Sequence, residues 1–300
     1  MTKGYCYAFP GRDAIRGGLS PSFYQKYEAV RKIFREASDY VEEDIADLSF
    51  GTAAIEQKWQ TVCLVTHSYS IYEIVRQQYG EPEVFAGYSQ GEFTACTAAG
   101  AFRFPDVLGL ISSLEAILAK EKGKEESMYR IVDMSPEKLD EICKQVDETG
   151  KNVCVSAYIS DSQNIISGKN EFIYQVIDAV KKDGARWAIR IMTDRGYHSP
   201  LCGEAARHAK EYFDRAILSK TCLPVYSCYD GQKSINPVCA RDRLSRQIDH
   251  PIRWNQIVSQ LLKEGIHQLI EIGPGCTVSG NTRICNDEMS CRWIGKAEEL

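Results

Sequence analysis

One serine in the chain has the surroundings of a covalent nucleophile. Ser89 is the middle residue of the pentapeptide G-Y-S-Q-G at residues 87–91. The apolar run at residues 84–86 predicts a buried strand before it, and the alanine-rich segment 90–102 predicts a helix after it. A G-x-S-x-G sequence between a strand and a helix is typical of a nucleophile elbow, a tight turn that exposes the serine hydroxyl. The pattern therefore predicts that Ser89 is a nucleophile; an ordinary tight turn is the alternative.

A serine hydroxyl attacks well only when a base removes its proton, and histidine is the usual base. The chain contains five histidines, His67, His198, His208, His250 and His267. His198 lies in a segment, residues 194–201, that is predicted to be a loop between two parts of the fold, and such loops often contain catalytic groups. The residues alone favour His198 as the base and leave His250 as the alternative. The other three are interpreted as packed or solvated side chains.

The elements that would position these residues fall into two groups. Residues 125–192 predict the order strand, helix, strand, strand, helix, strand, which is the ferredoxin-like motif. Residues 1–124 and 193–300 predict further strands and long helices, including helical segments at 22–47, 59–79 and 251–264. We therefore expect a catalytic core formed by the two outer segments and a small inserted subdomain between them.

The composition limits the classes of protein to which the chain can belong. Its 300 residues are 44% hydrophobic and 26% charged, as in globular proteins, and its net charge of -5 argues against binding to nucleic acid. No run of about 18 apolar residues would span a membrane, and the N-terminal sequence lacks the apolar segment of a signal peptide. The 12 cysteines include no C-x-x-C pair, so we expect no metal site and reduced thiols in the cytoplasm.

Several short motifs, in a fixed order along the chain, resemble those of one family. They are F-P-G at 9–11, W-Q-T at 59–61, G-Y-S-Q-G-E at 87–92, Y-H-S-P-L at 197–201, Q-I-D-H-P-I-R-W at 247–254 and E-I-G-P-G at 271–275. In these motifs, and over nearly its whole length, the chain resembles the malonyl-CoA:acyl-carrier-protein transacylases and the related acyltransferases of polyketide synthases. The resemblance implies an α/β fold, with an α/β-hydrolase-like core and an inserted ferredoxin-like subdomain, in agreement with the predicted elements.

The resemblance also implies a role for each residue of the site. Ser89 would be the nucleophile and His198 the general base and acid, with the main-chain carbonyl of Gln247 orienting the imidazole. The backbone N–H groups of Gln90 and Arg12 would form the oxyanion hole. No bound cofactor is implied, because coenzyme A or a phosphopantetheine thioester would be a substrate. An acyl carrier protein would be the partner.

The chain departs from the family's pattern at four places. Arg12 stands where members usually have glutamine, and Tyr88 where they usually have histidine. The segment after W-Q-T is one residue shorter, with Val-Cys at 62–63 in place of Gln-Pro-Ala. Counted without gaps from the elbow, the arginine that holds the malonyl carboxylate falls on Leu114. Leu114 also continues the apolar stripe of Val107 and Ile111, so we expect it to pack in the core, with no guanidinium at that position.

These observations predict a serine acyltransferase. An acyl group would pass from a coenzyme A or carrier-protein thioester to Ser89, and then to the phosphopantetheine thiol of a carrier protein. Leu114, Tyr88 and Tyr197 are expected to line the substrate pocket, and the missing arginine predicts an acyl group other than malonyl. Three alternatives remain: a hydrolase that removes acyl groups from carrier proteins, an ordinary malonyl transferase with another carboxylate partner such as Arg12, and an inactive module that binds carrier proteins.

Overall fold

The computed structural model describes residues 4–120, 125–220 and 222–300. The first segment of the predicted core, residues 1–124, is therefore described only in part. Its residues 1–3 and its predicted end at residue 124 lie outside the described residues. The strands are β1 (Tyr5–Phe9), β2 (Val84–Gly87), β3 (Glu126–Val132), β4 (Val153–Tyr158), β5 (Gln163–Lys169), β6 (Trp187–Ile191), β7 (Val225–Tyr226), β8 (Lys233–Ser234), β9 (Ile252–Arg253), β10 (Gln268–Ile272) and β11 (Ser290–Ile294). The helices are α1 (Ser22–Lys26), α2 (Glu28–Val41), α3 (Ile45–Phe50), α4 (Gln57–Tyr79), α5 (Gly91–Ala98), α6 (Phe104–Lys120), α7 (Pro136–Val146), α8 (Asn170–Lys182), α9 (Gly203–Arg215), α10 (Pro237–Arg246), α11 (Trp254–Lys263) and α12 (Thr277–Cys285). Short 3-10 helices cover Arg12–Gly17 and Pro200–Cys202.

A six-stranded sheet in the order β11-β10-β1-β2-β7-β8 forms the centre of the larger part of the molecule. β1 pairs in parallel with β10 and β2, whereas β8 runs antiparallel to β7. β1 and β2 are almost entirely buried and apolar, as is usual for parallel strands that are covered on both faces. Because the carboxyl ends of parallel strands share one edge of a sheet, β1 and β2 bring Arg12 and Ser89 to the same end of the molecule.

The second sheet has the order β6-β3-β5-β4-β9. Together with α7 and α8, the strands β3 to β6 form the predicted βαββαβ motif, and they enclose their own hydrophobic cluster, which includes Ile131, Ile166 and Ile173. β9 lies in residues 193–300, which the sequence predicts to be part of the core, yet it joins this second sheet through the parallel pairing of Ile252 with Ala157. The predicted fold class, an α/β core with a ferredoxin-like part, is therefore confirmed, whereas the division at residues 125 and 192 stays a prediction.

The structure differs from the sequence prediction in several segments. The segment predicted to be helical at 22–47 is mostly helical, but it is divided into α1, α2 and α3, because Tyr27 is extended (φ -116°, ψ 123°) and Glu42 is left-handed (φ 59°). The elbow helix α5 ends at Ala98 and not at residue 102, and Gly100 beyond it has φ 85°. The elements α10, α12 and β11 were not predicted, and α10 leads directly to the site.

Candidate active site

Ser89 lies on the tight turn between β2 and α5, as the pattern predicts. Its backbone is left-handed (φ 55°), which is uncommon for a residue other than glycine. The flanking glycines are needed for close packing: a Cβ on Gly87 would overlap the backbone of Gly91, and a Cβ on Gly91 would overlap the carbonyl of Phe9. The N–H of Tyr88 donates to the Phe9 carbonyl at 2.9 Å, which ties the turn to β1. The packing therefore holds the serine in one strained position.

Ser89, His198 and Gln247 form a hydrogen-bonded chain at this turn. Nε2 of His198 lies 2.7 Å from Oγ of Ser89, and Nδ1 of His198 lies 2.7 Å from the main-chain oxygen of Gln247. A carbonyl oxygen only accepts hydrogen bonds, so Nδ1 carries the ring proton and Nε2 is able to accept the serine proton. Oε1 of Gln90, at 2.6 Å, is a second acceptor for the same hydroxyl. This is the geometry of a nucleophile, its base and the group that orients the base.

The charge of His198 is determined by its burial. Only 8% of the residue is exposed, and removal from water lowers the pKa of His198 from 6.5 to about 4. The hydrogen bond to Gln247 opposes this shift, whereas the positive charge of Arg12 adds to it. The imidazole is therefore neutral near pH 7 and ready to accept a proton. Its backbone is also left-handed (φ 56°), so both side chains of the Ser89–His198 pair come from strained positions.

The two backbone groups predicted to form an oxyanion hole lie at the starts of helices. Gln90 immediately precedes α5, and Arg12 begins the first 3-10 helix. N–H groups in the first turn of a helix have no intrahelical acceptor and remain able to bond an anion. The loop before Arg12 packs on the elbow: a Cβ on Gly11 would lie 2.8 Å from the carbonyl oxygen of Tyr88 and 3.4 Å from Cβ of Ser89. This geometry is compatible with the oxyanion hole, which stays a prediction.

Ser89 and His198 open onto a cleft of about 650 Å³ between the two sheets. One wall belongs to the larger part of the molecule and includes Arg12, and the other belongs to the second sheet and includes Met128 and Ile165. A cavity of this volume is large enough for a cofactor-sized ligand. The cleft therefore gives a long substrate access to the serine hydroxyl.

A narrower cavity of about 30 Å³, called the inner pocket below, continues from Ser89 between α5 and α6. Six apolar side chains line it: Phe93, Ile111, Leu114, Leu118, Leu244 and Ile248. Of the residues expected in the substrate pocket, Leu114 lies here with 8% of its surface exposed, and Tyr197 lines both the cleft and the inner pocket. Tyr88 lines the cleft, where its ring lies edge-on to that of Trp254 with the ring centres 5.8 Å apart.

Glu115 is a residue of the site that the sequence patterns did not reveal. It follows Leu114 on α6, has 5% of its surface exposed, and accepts a hydrogen bond from Oγ1 of Thr61 at 2.6 Å. Nη1 of Arg12 lies 3.4 and 3.5 Å from its two carboxylate oxygens, and the Arg12 guanidinium lies 4.8 Å from the ring centre of Tyr197. Burial raises the pKa of Glu115, and Arg12 opposes that shift. The sequence does contain one signal that could have revealed Glu115: it is a charged residue at a position of α6 where the helical pattern predicts an apolar one.

The histidines other than His198 have different surroundings. His67 is buried in α4, its Nε2 lies 3.1 Å from a main-chain carbonyl oxygen, and burial lowers its pKa to about 4. His250, the alternative base, is exposed, and its Nδ1 lies 2.7 Å from Oδ1 of Asp249. The structure therefore brings His198 to the serine hydroxyl and leaves His250 at the surface.

Two further features concern residues 4–120, 125–220 and 222–300, the part of the chain that the structure describes. No three side chains of histidine, cysteine, aspartate or glutamate in these ranges are grouped so that they could hold a metal ion. None of the helices in the same ranges combines the length and the apolar character that crossing a membrane requires. All 12 cysteines are free thiols, and half of them are buried.

Known proteins resemble the chain over its whole length. The acyl transferase domain family matches residues 18–296. The malonyl CoA-acyl carrier protein transacylase of Bacillus subtilis is 27% identical to this chain, and the match covers 98% of this chain and 94% of the relative. The Escherichia coli K12 transacylase is also 27% identical, and the match covers 100% of this chain and 98% of the relative. A solved malonyl-transacylase, in complex with its type II polyketide synthase acyl-carrier protein, has 26% identity and a TM-score of 0.93, over 99% of this chain and 97% of its own. The chain therefore belongs to the acyl transferase domain family, and the protein is an acyltransferase.

Proposed function

We propose that this acyltransferase moves a malonyl group from coenzyme A to the phosphopantetheine thiol of an acyl carrier protein, through an ester on Ser89. The observation that carries the proposal is the chain of hydrogen bonds from Ser89 through His198 to the Gln247 carbonyl, with both distances 2.7 Å. Such a chain supports nucleophilic attack on a thioester. The relatives named above are malonyl CoA-acyl carrier protein transacylases, which supports the choice of donor, acyl group and acceptor.

In the first half-reaction, Oγ of Ser89 attacks the thioester carbonyl carbon while Nε2 of His198 takes the hydroxyl proton. The Gln247 carbonyl keeps the imidazole in the required tautomer and stabilises the imidazolium that forms. The N–H groups of Gln90 and Arg12 would bind the oxyanion, and each such donor typically contributes about 3 kcal/mol to the transition state. The C–S bond then breaks, the coenzyme A sulfur takes the proton from His198, and the acyl group remains on Ser89.

In the second half-reaction, the carrier protein's phosphopantetheine arm replaces coenzyme A in the cleft. His198 takes the thiol proton, the sulfur attacks the ester carbonyl, and Oγ of Ser89 leaves and recovers the proton. Ser89 and His198 therefore act in both half-reactions, with His198 as base and then as acid in each. Coenzyme A and phosphopantetheine act as substrates in this scheme, with no bound cofactor, and the carrier protein is the partner. A cytoplasmic location stays a prediction.

The choice of malonyl rests on the relatives and on Arg12. A carboxylate that leaves water needs a cation to offset its lost hydration, and a guanidinium provides one in planar form. Arg12 lines the cleft beside Ser89 and reaches Glu115 of the inner pocket. Arg12 is also the carboxylate partner in the malonyl-transferase alternative that the sequence left open. The main expectation, an acyl group other than malonyl, has no support from the comparisons.

One observation favours a second candidate, the transfer of an uncharged acyl group. Leu114 occupies the position of the malonyl-binding arginine that the resemblance implies, and five further apolar side chains line the same pocket. Arg12 is already paired with Glu115. A neutral acyl chain would gain apolar contact in this pocket without any loss of charge hydration. A hydrolase with water as acceptor would use the same residues and is the remaining alternative.

Intact-protein mass spectrometry after incubation with malonyl-, acetyl- or butyryl-coenzyme A tests the proposal. We expect one malonyl mass on the unmodified enzyme and none on Ser89→Ala, because the ester forms on that hydroxyl. Labelling that persists in Ser89→Ala would reject the acyl-serine. Acetyl or butyryl labelling that is faster than malonyl labelling would favour the second candidate.

A further inference from the structure

Glu115 is a buried carboxylate beside the acyl site, and the mechanism above gives it no role. It lines the inner pocket with Ser89 and His198, and 5% of its surface is exposed. A charge in such a place is costly unless it is paired. Its partners are Thr61, at 2.6 Å, and Arg12, at 3.4 and 3.5 Å. An acyl group on Ser89 that points toward α6 would therefore lie close to this carboxylate.

Further charged groups face the same region from the loop before His198. The Tyr197 hydroxyl donates to Oδ1 of Asp194 at 3.0 Å, and the ring of Tyr197 lies under the Arg12 guanidinium. Arg195 donates to a main-chain carbonyl of α6 at 2.7 Å. Two cations, Arg12 and Arg195, thus lie near two carboxylates, Glu115 and Asp194.

We propose that Glu115 determines the choice of acyl group, because its carboxylate competes with an acyl carboxylate for Arg12. The inference rests on the proposed function, in which Arg12 binds the malonyl carboxylate. Malonyl on Ser89 would bring a second carboxylate to a guanidinium that already holds one. The two anions would repel each other in a region of low dielectric constant. An acetyl group carries no charge and avoids this repulsion.

The contacts indicate that a substrate carboxylate can compete for Arg12. Thr61 holds Glu115 with a short hydrogen bond, whereas the contact from Arg12 lies at the long limit for a hydrogen bond. Nη1 of Arg12 reaches both oxygens of Glu115, unlike the strongest arginine–carboxylate pairs, in which two nitrogens bond side by side. Burial raises the pKa of Glu115, so its neutral form becomes more accessible. Loss of the Glu115 charge would leave Arg12 as a partner for malonyl.

The test compares malonyl- and acetyl-coenzyme A as donors for the unmodified enzyme, Glu115→Gln and Glu115→Asp. Glutamine keeps the size of the side chain and an oxygen that accepts from Thr61, but it removes the charge. Aspartate keeps the charge and is the matched control. We expect Glu115→Gln to raise the malonyl-to-acetyl ratio of kcat/KM by about 10- to 100-fold, and Glu115→Asp to leave the ratio within about threefold.

A ratio that is unchanged in Glu115→Gln, or that rises equally in Glu115→Asp, would overturn the role of Glu115. The unmodified enzyme tests the proposed function separately. If it rejects malonyl while Glu115→Gln accepts it, the role of Glu115 stands and the proposed acyl group fails. If it accepts malonyl and the ratio does not respond to Glu115→Gln, the proposed function stands and this inference fails.

A second variant covers the case in which Glu115→Gln does not fold, as judged by thermal unfolding. Glu115→Leu also removes the charge, and its side chain matches the apolar lining of the inner pocket. We expect Glu115→Leu to raise the malonyl-to-acetyl ratio of kcat/KM, as Glu115→Gln does, because it removes the competing carboxylate. A ratio that is unchanged in a folded Glu115→Leu would overturn the proposal.

Discussion

The lowered pKa of His198 predicts how acylation of Ser89 depends on pH. His198 must be neutral to accept the serine proton, so acylation is lost as the pH falls through its pKa. Burial, the largest cause, lowers that pKa from 6.5 to about 4. At pH 5.5 a base with a pKa of about 4 is about 97% neutral, whereas one with the ordinary value is about 9% neutral. The buried and the solvated histidine therefore predict rates that differ by about tenfold at this one pH.

The assay is rapid-quench mass spectrometry of acyl-Ser89 formation at subsaturating donor, from pH 8 down to pH 4.5. We expect kcat/KM to change little down to about pH 5. His250→Ala, which removes an exposed histidine outside the site, should give the same profile and serves as the control. A midpoint near pH 6.5 in a folded enzyme would refute the reasoning, because it would mean that water reaches the imidazole.

Folding must be followed in parallel, because the same pKa shift affects stability. The folded-state pKa of His198 is below the unfolded value, so the unfolded chain takes up the proton more readily. The contribution of neutral His198 is present above pH 6.5 and is lost as the pH falls toward 4; it corresponds to about 3 kcal/mol. His67 has a similar shift and acts in the same direction. Circular dichroism at each pH separates loss of the base from loss of the fold.

Two further predictions concern the base and the acceptor. His198→Ala should slow acylation by about a hundredfold or more, whereas His250→Ala should have a small effect; the reverse order in the same quench assay would transfer the role of base to His250. Acyl-Ser89 should persist in water and disappear quickly when a cognate holo-carrier protein is added, as followed by intact mass. Rapid loss without any carrier protein would identify a hydrolase.

The nucleophile elbow could be predicted from sequence because its parts are adjacent in the chain. The apolar strand, the helix after it and the two glycines all lie within about 20 residues of Ser89. Each of these signals depends on local sterics, and the structure shows the overlap that a Cβ at Gly87 or Gly91 would cause. The βαββαβ order was predictable for a similar reason, since the spacing of apolar residues within each element is local information.

The partners of Ser89 could not be derived in this way, because they are distant in the chain. His198 is 109 residues from Ser89, and Gln247 is 49 residues beyond His198. Gln247 contacts His198 through its main-chain oxygen, which has no side-chain signature, and only the family resemblance pointed to it. The helix that places it, α10, buries Pro237, Ala240 and Leu244, too few apolar residues for a clear helical pattern.

The surroundings of Leu114 show why the identity of one residue is not enough to predict the acyl group. Leu114 correctly indicates an apolar position on α6, but the count from the elbow cannot reveal which charges approach from other elements. Arg12 comes from the loop after β1, 103 residues from Glu115. Either charge alone would be costly to bury in this region, and pairing the two charges lowers that cost for both. While Glu115 is ionised, the pair is balanced without substrate; when Glu115 is protonated or replaced by glutamine, Arg12 has a charge that a malonyl carboxylate can neutralise. We therefore expect the charge at position 115, through its pairing with Arg12, to control the choice of acyl group more strongly than the side chain at position 114.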